Sequence, residues 1–385
     1  MSNVIFISSG GTGGHIMPAR CLAKLLSQNN FKVFFLADKK VTNFIKKEDS
    51  FQSFIISASQ LKKSAPFLFL ASIKIFFGTL KSCYFIFRYN PKYVIAFGGY
   101  ATFPVLFSAI IMRRKIILHE QNSHLGKVNR IFAKYASKIA TSFPETSGIC
   151  EEVKKKIITT GNPIRDEIIN LYKNEYSLPK IERDYFSMDS RMGYNVLLES
   201  DFYKKSNKEC FHILIIGGSG GAKIFSEIMP RAFFNLSENV KEILCITQQC
   251  RSELVKSTFE KYKSFNINIA IDYFFEDMAS LISRSHLVIA RSGSSSIFEF
   301  CAAKKPMILV PFAESADNHQ EKNATFLEKN GAAIVIKEKE FTINNVSEVI
   351  SKLINNPATL IKMSQNAGDI ANLNATQKLF NLINE

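Results

Sequence analysis

One local pattern occurs twice in this chain: an apolar strand that runs straight into a glycine-rich turn. Val4-Ile5-Phe6-Ile7 leads into Ser9-Gly10-Gly11-Thr12-Gly13-Gly14-His15, and His212-Ile213-Leu214-Ile215-Ile216 leads into Gly217-Gly218-Ser219-Gly220-Gly221. A glycine turn between a strand and a helix leaves backbone N–H groups and the positive helix end available to phosphate oxygens. It also constrains the fold, because such a turn opens a parallel α/β sheet, and two of them imply two sheets.

The remaining apolar runs fit that frame. Strands are expected at 3–8, 32–37, 52–56, 92–96, 115–119, 137–141 and 156–159, then at 212–216, 242–247, 267–271, 286–290, 306–310 and 332–336. Several end in polar or glycine motifs: Gly98-Gly99-Tyr100, His119-Glu120-Gln121-Asn122 and Gly161-Asn162-Pro163-Ile164-Arg165. Ligands of open α/β sheets bind outside the carboxyl ends of the strands, which is where these motifs fall. The expected division is residues 1–165, a linker or insertion at 166–210, a second α/β domain at 211–360 and a helical segment at 361–385 that can pack back on the N-terminal domain. With 46% apolar and 22% charged residues, a mostly disordered chain is excluded.

Common alternatives for a glycine loop fail. The dinucleotide pattern G-x-G-x-x-G meets Ile16 and Lys223 where its third glycine belongs. Asp38 follows the second strand where a ribose-binding acid would sit, which leaves a dehydrogenase open at this point. No Walker motif and no D-x-D metal clamp are present in the sequence. The seven cysteines (21, 83, 150, 210, 245, 250 and 301) show no C-x-x-C and no Cys/His spacing of a zinc site. They are expected to be reduced, and His212 and His286, at strand starts, to be structural. The first strand begins without the basic flank of a signal peptide.

Residues 65–87 are almost continuously apolar. Lys74 and Lys81 interrupt the run, each costing ~2.5–3.5 kcal/mol near a bilayer centre, which argues against a span. Heptad spacing puts Phe69, Ile73, Phe76, Leu80, Cys83 and Phe87 on a core-facing stripe. The opposite stripe, Phe67, Leu70, Lys74, Phe77, Lys81, Phe85 and Arg88, alternates apolar groups with cations and suits an interfacial helix on anionic lipid.

These motifs, taken in order, resemble the MurG family of peptidoglycan N-acetylglucosaminyltransferases. The resemblance is carried by Ser9 to His15 with Pro18-Ala19, Phe97 to Tyr100, His119 to Asn122, Gly161 to Arg165 and Gly217-Gly218-Ser219. It continues through Phe274-Phe275-Glu276-Asp277-Met278, Arg291-Ser292-Gly293, Glu299, Pro311-Phe312 and Asp317-Asn318-His319-Gln320. It implies a GT-B fold, two Rossmann-like doubly wound parallel-sheet domains facing across a cleft. It further implies inverting, metal-independent transfer of GlcNAc from UDP-GlcNAc to the MurNAc 4-hydroxyl of undecaprenyl-diphosphate-MurNAc-pentapeptide (lipid I), forming lipid II, with no cofactor. Two departures stand out: Gly220 where the family commonly has Gln, and a longer 166–210 connection.

Inverting transfer requires a base for the incoming hydroxyl and stabilisation of departing UDP. His15 is the first candidate base, since an imidazole titrates near neutrality; His119 and Glu120 are its rivals. Thr12, Gly13 and Gly14 would donate to phosphate or sugar oxygens. The resemblance places Asn122 on the transferred sugar and Arg165 and Ser219 on the nucleotide. It puts Phe275 on uracil through its backbone and the N–H groups of Ser294, Ser295 and Ser296 on the diphosphate. Glu299 would meet the ribose and Gln320 the GlcNAc hydroxyls. Gly98, Gly99 and Tyr100 would meet the acceptor diphosphate. The alternatives are another GT-B nucleotide-sugar enzyme (an epimerase or glycolipid synthase) and a non-catalytic nucleotide-sugar- or lipid-binding protein.

The net charge of +15 is unevenly held: residues 1–165 carry 24 Lys/Arg against 7 Asp/Glu, and residues 166–385 carry 25 against 27. A strongly basic half calls for an anionic partner. No nucleic-acid motif accompanies the charge. The expected partners are an anionic membrane surface, the two substrates and cell-wall synthesis proteins, at the cytoplasmic face of the bacterial inner membrane as a peripheral protein.

Overall fold

The computed structural model describes residues 3–11, 13–39, 41, 51–59, 65–179, 210–218, 220–265, 267 and 269–384, with the backbone alone at 65–68. Thr12, Ser219, the Phe67 side chain and residues 180–209 of the expected linker lie outside the described residues. The chain forms two compact units. One comprises Met1–Asp166 with Gly293–Phe298 and Asn372–Glu385, the other Glu167–Ser292 and Glu299–Ala371.

Each expected strand is present, its ends displaced by at most two residues. The first unit holds β1 (Val4–Ser9), β2 (Lys32–Ala37), β3 (Gln52–Ile55), β4 (Tyr93–Ala96), β5 (Lys115–Glu120), β6 (Lys138–Thr141) and β7 (Ile157–Thr159). They form one sheet in the order β3-β2-β1-β4-β5-β6-β7, every pairing parallel. The second unit holds β8 (Phe211–Ile216), β9 (Leu244–Gln249), β10 (Ile269–Asp272), β11 (Leu287–Ala290), β12 (Met307–Leu309) and β13 (Ala333–Val335), in the order β10-β9-β8-β11-β12-β13. The chain reverses its direction of growth between β1 and β4 and between β8 and β11. Those are the topological switch points, and the glycine motifs stand at their carboxyl ends.

Parallel sheets are covered on both faces, so their strands are Ile-, Val- and Phe-rich without alternation. In the first sheet one face packs on α1 (Gly13–Gln28) and the last helix (Ala375–Asn384), through Leu22, Leu26, Leu379 and Ile383. The other face packs on α2 (Ala65–Tyr89), α3 (Phe103–Ile111) and α4 (Lys127–Phe132), through Ile86, Leu106 and Phe132.

Two expectations are corrected here. The first concerns α2. Phe69 (69% exposed), Ile73, Phe76 (57%), Leu80 and Phe87 (77%), expected in the core, lie on the surface. The buried face is instead Ala71, Gly78, Thr79, Ser82 and Ile86. Gly78 explains it: a Cβ there would sit 2.0 Å from the Ser57 carbonyl oxygen and 3.3 Å from Pro104. The Ser108 hydroxyl of α3 donates to the Thr79 carbonyl at 2.9 Å. Backbones this close admit small side chains only, so the rings turn outward. On the stripe expected to face lipid, Leu70, Lys74, Phe77, Lys81 and Arg88 are exposed, but Phe85 is half-buried and stacks on Phe54 at 4.1 Å. Lys81 donates to the Ile55 carbonyl at 2.9 Å.

The second concerns cysteine. Cys210 and Cys245 are joined by a disulfide, with His212 Nε2 3.1 Å from the Cys210 sulfur; the other five cysteines are not in a disulfide. Register is the cause. His212 on β8 is level with Cys245 on β9, and this cross-strand adjacency leaves no mark in sequence spacing.

Candidate active site

In the first unit the loops after β1 and β4 are fused through glycine. Gly10 N–H donates to the Gly98 carbonyl at 2.8 Å. A Cβ on Gly10 would lie 2.9 Å from Gly99 Cα, and one on Gly99 would lie 2.7 Å from Gly10 Cα. Gly98 and Gly99 also have φ of 77° and 84°, where other residues are strained. Beneath them Tyr100 donates its hydroxyl to Asp38 Oδ2 at 2.7 Å. Burial, then this bond and the nearby carboxylate charge, push the Tyr100 phenol up to about 12. Asp38 also lies under Gly11, whose Cβ would meet both carboxylate oxygens at 2.9 Å. The residue placed where a dinucleotide's ribose would be sought is a brace for the loop. Above it α1 begins at Gly13, with N–H groups of its first turn unpaired within the helix. Among the described residues, nothing lies within 4 Å of a would-be Cβ on Gly14, and His15 is half-buried with its ring edge next to Gly98.

The β5 end behaves differently. Glu120 is 2% exposed and its carboxylate is fully engaged. Oε1 accepts from the Asn122 N–H at 3.0 Å and Asn122 Nδ2 at 3.2 Å; Oε2 accepts from the Gly126 N–H at 2.8 Å and Asn129 Nδ2 at 2.9 Å. Burial raises the Glu120 pKa while these donors pull it back. His119 is wholly buried: Nε2–H donates to the Gly161 carbonyl at 3.2 Å and Nδ1 accepts from Gln121 Nε2 at 2.9 Å. Burial, with a smaller contribution from the charge of His15, lowers His119 to about 4. Both side chains organise the 119–129 loop and are closed to a substrate hydroxyl. Asn122 is held by Glu120, and Arg165 is half-buried just after Gly161, where φ is 84°.

In the second unit the loop after β8 folds back on itself. A Cβ on Gly217 would meet the Ala222 nitrogen at 2.2 Å, and Gly221 N–H donates to the Gly218 carbonyl at 2.9 Å. Among the described residues, nothing lies within 4 Å of a would-be Cβ on Gly218 or Gly220. Gly220, Gly221, Arg251, Ser252, Glu253 and Tyr273 line a cavity of about 250 Å³ at the carboxyl ends of β8, β9 and β10. After β11 comes the helix Ser294–Ala302, whose start (Ser294 buried, Ser295 and Ser296 half-buried) groups with the first unit, while Glu299, half-buried, belongs to the second. The Ser292 hydroxyl donates to the Gln320 carbonyl at 2.7 Å, and Gln320 Oε1 accepts from the Phe312 N–H at 3.0 Å. Asp317 and Asn318, with φ of 51° and 53°, hold left-handed backbone just before Gln320. Strain of this kind concentrates at functional loops. The Phe275 side chain is buried. Arg291 is structural: it donates to the Val310 and Pro311 carbonyls and pairs with Glu338 at 2.8 Å.

Residues 5–141 match the glycosyltransferase family 28 N-terminal domain, and residues 212–381 the family 28 C-terminal domain. A curated UDP-N-acetylglucosamine–N-acetylmuramyl-(pentapeptide) pyrophosphoryl-undecaprenol N-acetylglucosamine transferase of Caulobacter vibrioides is 31% identical over 384 residues, covering 100% of this chain and 99% of its own. The protein of the same name from Rickettsia conorii is 35% identical over 364 residues, covering 94% of each. The crystal structure of Acinetobacter baumannii MurG superposes with a TM-score of 0.73 at 26% identity, covering 100% of this chain and 99% of that one. The chain belongs to the MurG family. It is a glycosyltransferase of GT-B fold. A UDP-GlcNAc 2-epimerase of Neisseria meningitidis, bound to UDP-GlcNAc, has a TM-score of 0.64 at 14% identity over 99% of this chain and 100% of its own, which is likeness of fold alone.

Two side chains of this MurG-family site, Asn129 and Arg251, escaped the sequence reading, and a third, Asp38, was read there as a possible ribose ligand. Asn129 clamps Glu120 and the His119 carbonyl from α4, and Asp38 braces the first loop. Arg251 places a cation beside Gly221, its Cγ 3.0 Å from a would-be Cβ. Each acts through a cross-strand or inter-loop contact, and none stands in a motif of its own.

Proposed function

We propose that the protein transfers GlcNAc from UDP-GlcNAc to the MurNAc 4-hydroxyl of lipid I, giving lipid II, with inversion at the anomeric carbon and without a metal. Residues 1–165 take the lipid-linked acceptor, and residues 211–360, which include the helix start at Ser294–Ser296, take the donor. The observation that carries the assignment is the contrast among the three candidate bases. His119 and Glu120 are buried and engaged, whereas His15 reaches the surface at the start of α1, beside the Gly98–Gly99 loop.

In this reading His15 removes the proton from the attacking hydroxyl as the sugar passes through an oxocarbenium-like state. Departing UDP is met by the N–H groups at the start of the Ser294–Ala302 helix and by the Gly217–Gly221 loop, with Arg251 adding charge. Glu299 accepts the ribose hydroxyls, and Gln320, its oxygen tied to Phe312, keeps its amide N–H groups for the sugar. The Tyr100 hydroxyl proton is committed to Asp38, which leaves the backbone N–H groups of Gly98–Gly99 as the donors for the acceptor diphosphate.

The membrane reading rests on α2. Phe69, Phe76, Phe77 and Phe87 are each more than half exposed, and Lys74, Lys81 and Arg88 lie among them. A row of surface aromatics with cations fits the headgroup layer of anionic lipid. This supports a peripheral position at the cytoplasmic face of the inner membrane, where cell-wall synthesis proteins would be its neighbours.

The deciding experiment gives purified protein UDP-GlcNAc and a soluble lipid I analogue in the presence of EDTA. UDP release should depend on the acceptor, and the product should carry a β-linked GlcNAc from the α-linked donor. Acceptor-independent conversion of the donor would favour the epimerase-like alternative and overturn the proposal.

A further inference from the structure

At the opposite ends of the second sheet's strands from the glycine loop stands a cluster that glycosyl transfer does not use. The ligand atoms of Cys210, His212 and Cys245 lie within 4.8 Å of one another. The placement follows from strand geometry. Cys210 precedes His212 by two residues and shares its face of the sheet, and Cys245 is level with His212 on the neighbouring strand. His212 Nε2 is 3.1 Å from Cys210 Sγ. On the other side of β8, His286 N–H donates to the His212 carbonyl at 2.9 Å and His286 Nδ1 accepts the His212 N–H at 2.9 Å, which fixes the local backbone. A disulfide requires two sulfurs and no imidazole. Here a ring nitrogen is directed at the pair.

We propose that, with its thiols reduced, this cluster binds a zinc ion through Cys210, His212 and Cys245. Two thiolates and an imidazole are the soft and borderline donors that zinc selects, whereas calcium and magnesium take oxygen. Two thiolates also cancel the ion's charge. The disulfide is opened by a dithiol reductant, which supplies two electrons and two protons and becomes a disulfide itself. Zinc then displaces both thiol protons to solvent. Cys210 and His212 are half-buried, so the ion has a route in and water can complete its coordination. Disulfide and zinc are exclusive ways of tying the residue that enters β8 to β9. The inference is independent of the glycosyl-transfer reading.

The test uses the full-length protein, reduced and stripped of metal, titrated with Zn²⁺ against a chromophoric chelator and separately with Co²⁺. One equivalent should outcompete the chelator, and cobalt should give a thiolate charge-transfer band. Cys245→Ser and His212→Gln should each remove both signals, and Cys150→Ser, at an exposed cysteine elsewhere, should keep them. If the first two variants fold poorly, alkylation of the wild-type chain decides: zinc should protect Cys210 and Cys245 and leave Cys150 reactive. A reduced protein without a competing equivalent, a signal that survives Cys245→Ser, or protection absent from Cys210 and Cys245 overturns the proposal.

Discussion

The two units share a plan and differ in how they support it. Both are parallel sheets with a glycine turn at the switch point. In the first unit the turn is braced from below: glycine meets glycine across two loops, Asp38 and Tyr100 lock beneath them, and Glu120 organises the adjoining loop. In the second, no described residue lies within 4 Å of a Cβ placed on Gly218 or Gly220, and left-handed backbone is held at Asp317 and Asn318, just before Gln320. A braced loop presents a fixed geometry for chemistry, and an open one leaves room for a ligand to fill. The same fold thus serves two tasks through the side chains beneath its loops.

That comparison is broken most directly by one substitution in each unit. His15→Ala should lower kcat by roughly 10²–10⁴-fold, the range of a lost general base, with KM for UDP-GlcNAc little changed. Glu299→Ala should raise that KM and leave kcat nearer the wild-type value. Steady-state kinetics at saturating acceptor separate the two. If His15→Ala acts on KM and Glu299→Ala on kcat, the division of labour between the units is wrong.

The brace itself should register in stability. Glu120→Ala removes the carboxylate that accepts from the Asn122 and Gly126 N–H groups and one of the two acceptors of Asn129 Nδ2, at about 1–3 kcal/mol for each donor left unsatisfied and kept from water. The melting temperature should fall well below that of Gln320→Ala in the second unit. The brace also sets a pH response. His119 is held near 4 by burial against an ordinary 6.5, so between those values the unfolded chain binds the proton and the folded chain does not. Its contribution is present above pH ~6.5 and lost as pH falls toward 4. Glu120 runs the other way, because its raised pKa favours the folded state as acid protonates it. His119→Gln should therefore flatten the acid limb of the melting profile, and Glu120→Gln should steepen it. Parallel profiles for both variants would refute the assignment.

A third contrast concerns surfaces. Phe76→Ser with Phe77→Ser should weaken binding to anionic vesicles by about tenfold or more, on the scale of 1.5–3 kcal/mol for each ring fully transferred out of water. Because both rings are exposed, the melting temperature should hold. Gly78→Val should do the reverse and destabilise the fold by its clash with Ser57. Cosedimentation together with thermal melting distinguishes the two faces of α2.

Much of this was legible in the sequence, for identifiable reasons. Strand positions follow from apolar runs bounded by turns, and the glycine loops mark the switch points because only glycine permits approaches such as Gly10 to Gly99. What escaped depends on neighbours distant along the chain. The face of α2 could not be read from heptads, since apolar residues surround the helix and the deciding feature is the closeness of Gly78 to Ser57. The Cys210–His212–Cys245 cluster is a product of register. Asp38 looked like a ribose ligand because its strand end is where such ligands sit, and Tyr100, the partner that decides its role, lies 62 residues away.

The smallest expected effect tests the charge difference alone. Lys74→Glu with Lys81→Glu should weaken association with anionic vesicles by about 1 kcal/mol per lost cation, and more with the reversal. Binding to neutral vesicles should stay as it is, and the deficit should shrink as salt shortens the ~8–10 Å screening length. Lys81 also donates to the Ile55 carbonyl, so its share should be lower than that of Lys74. The matched control is Lys352→Glu in the second unit, an exposed lysine paired with Glu348 on a unit that has no excess of positive charge. If Lys352→Glu weakens vesicle binding as much as Lys74→Glu does, lipid is responding to total charge, and the basic excess of residues 1–165 loses its explanation as a membrane-facing surface.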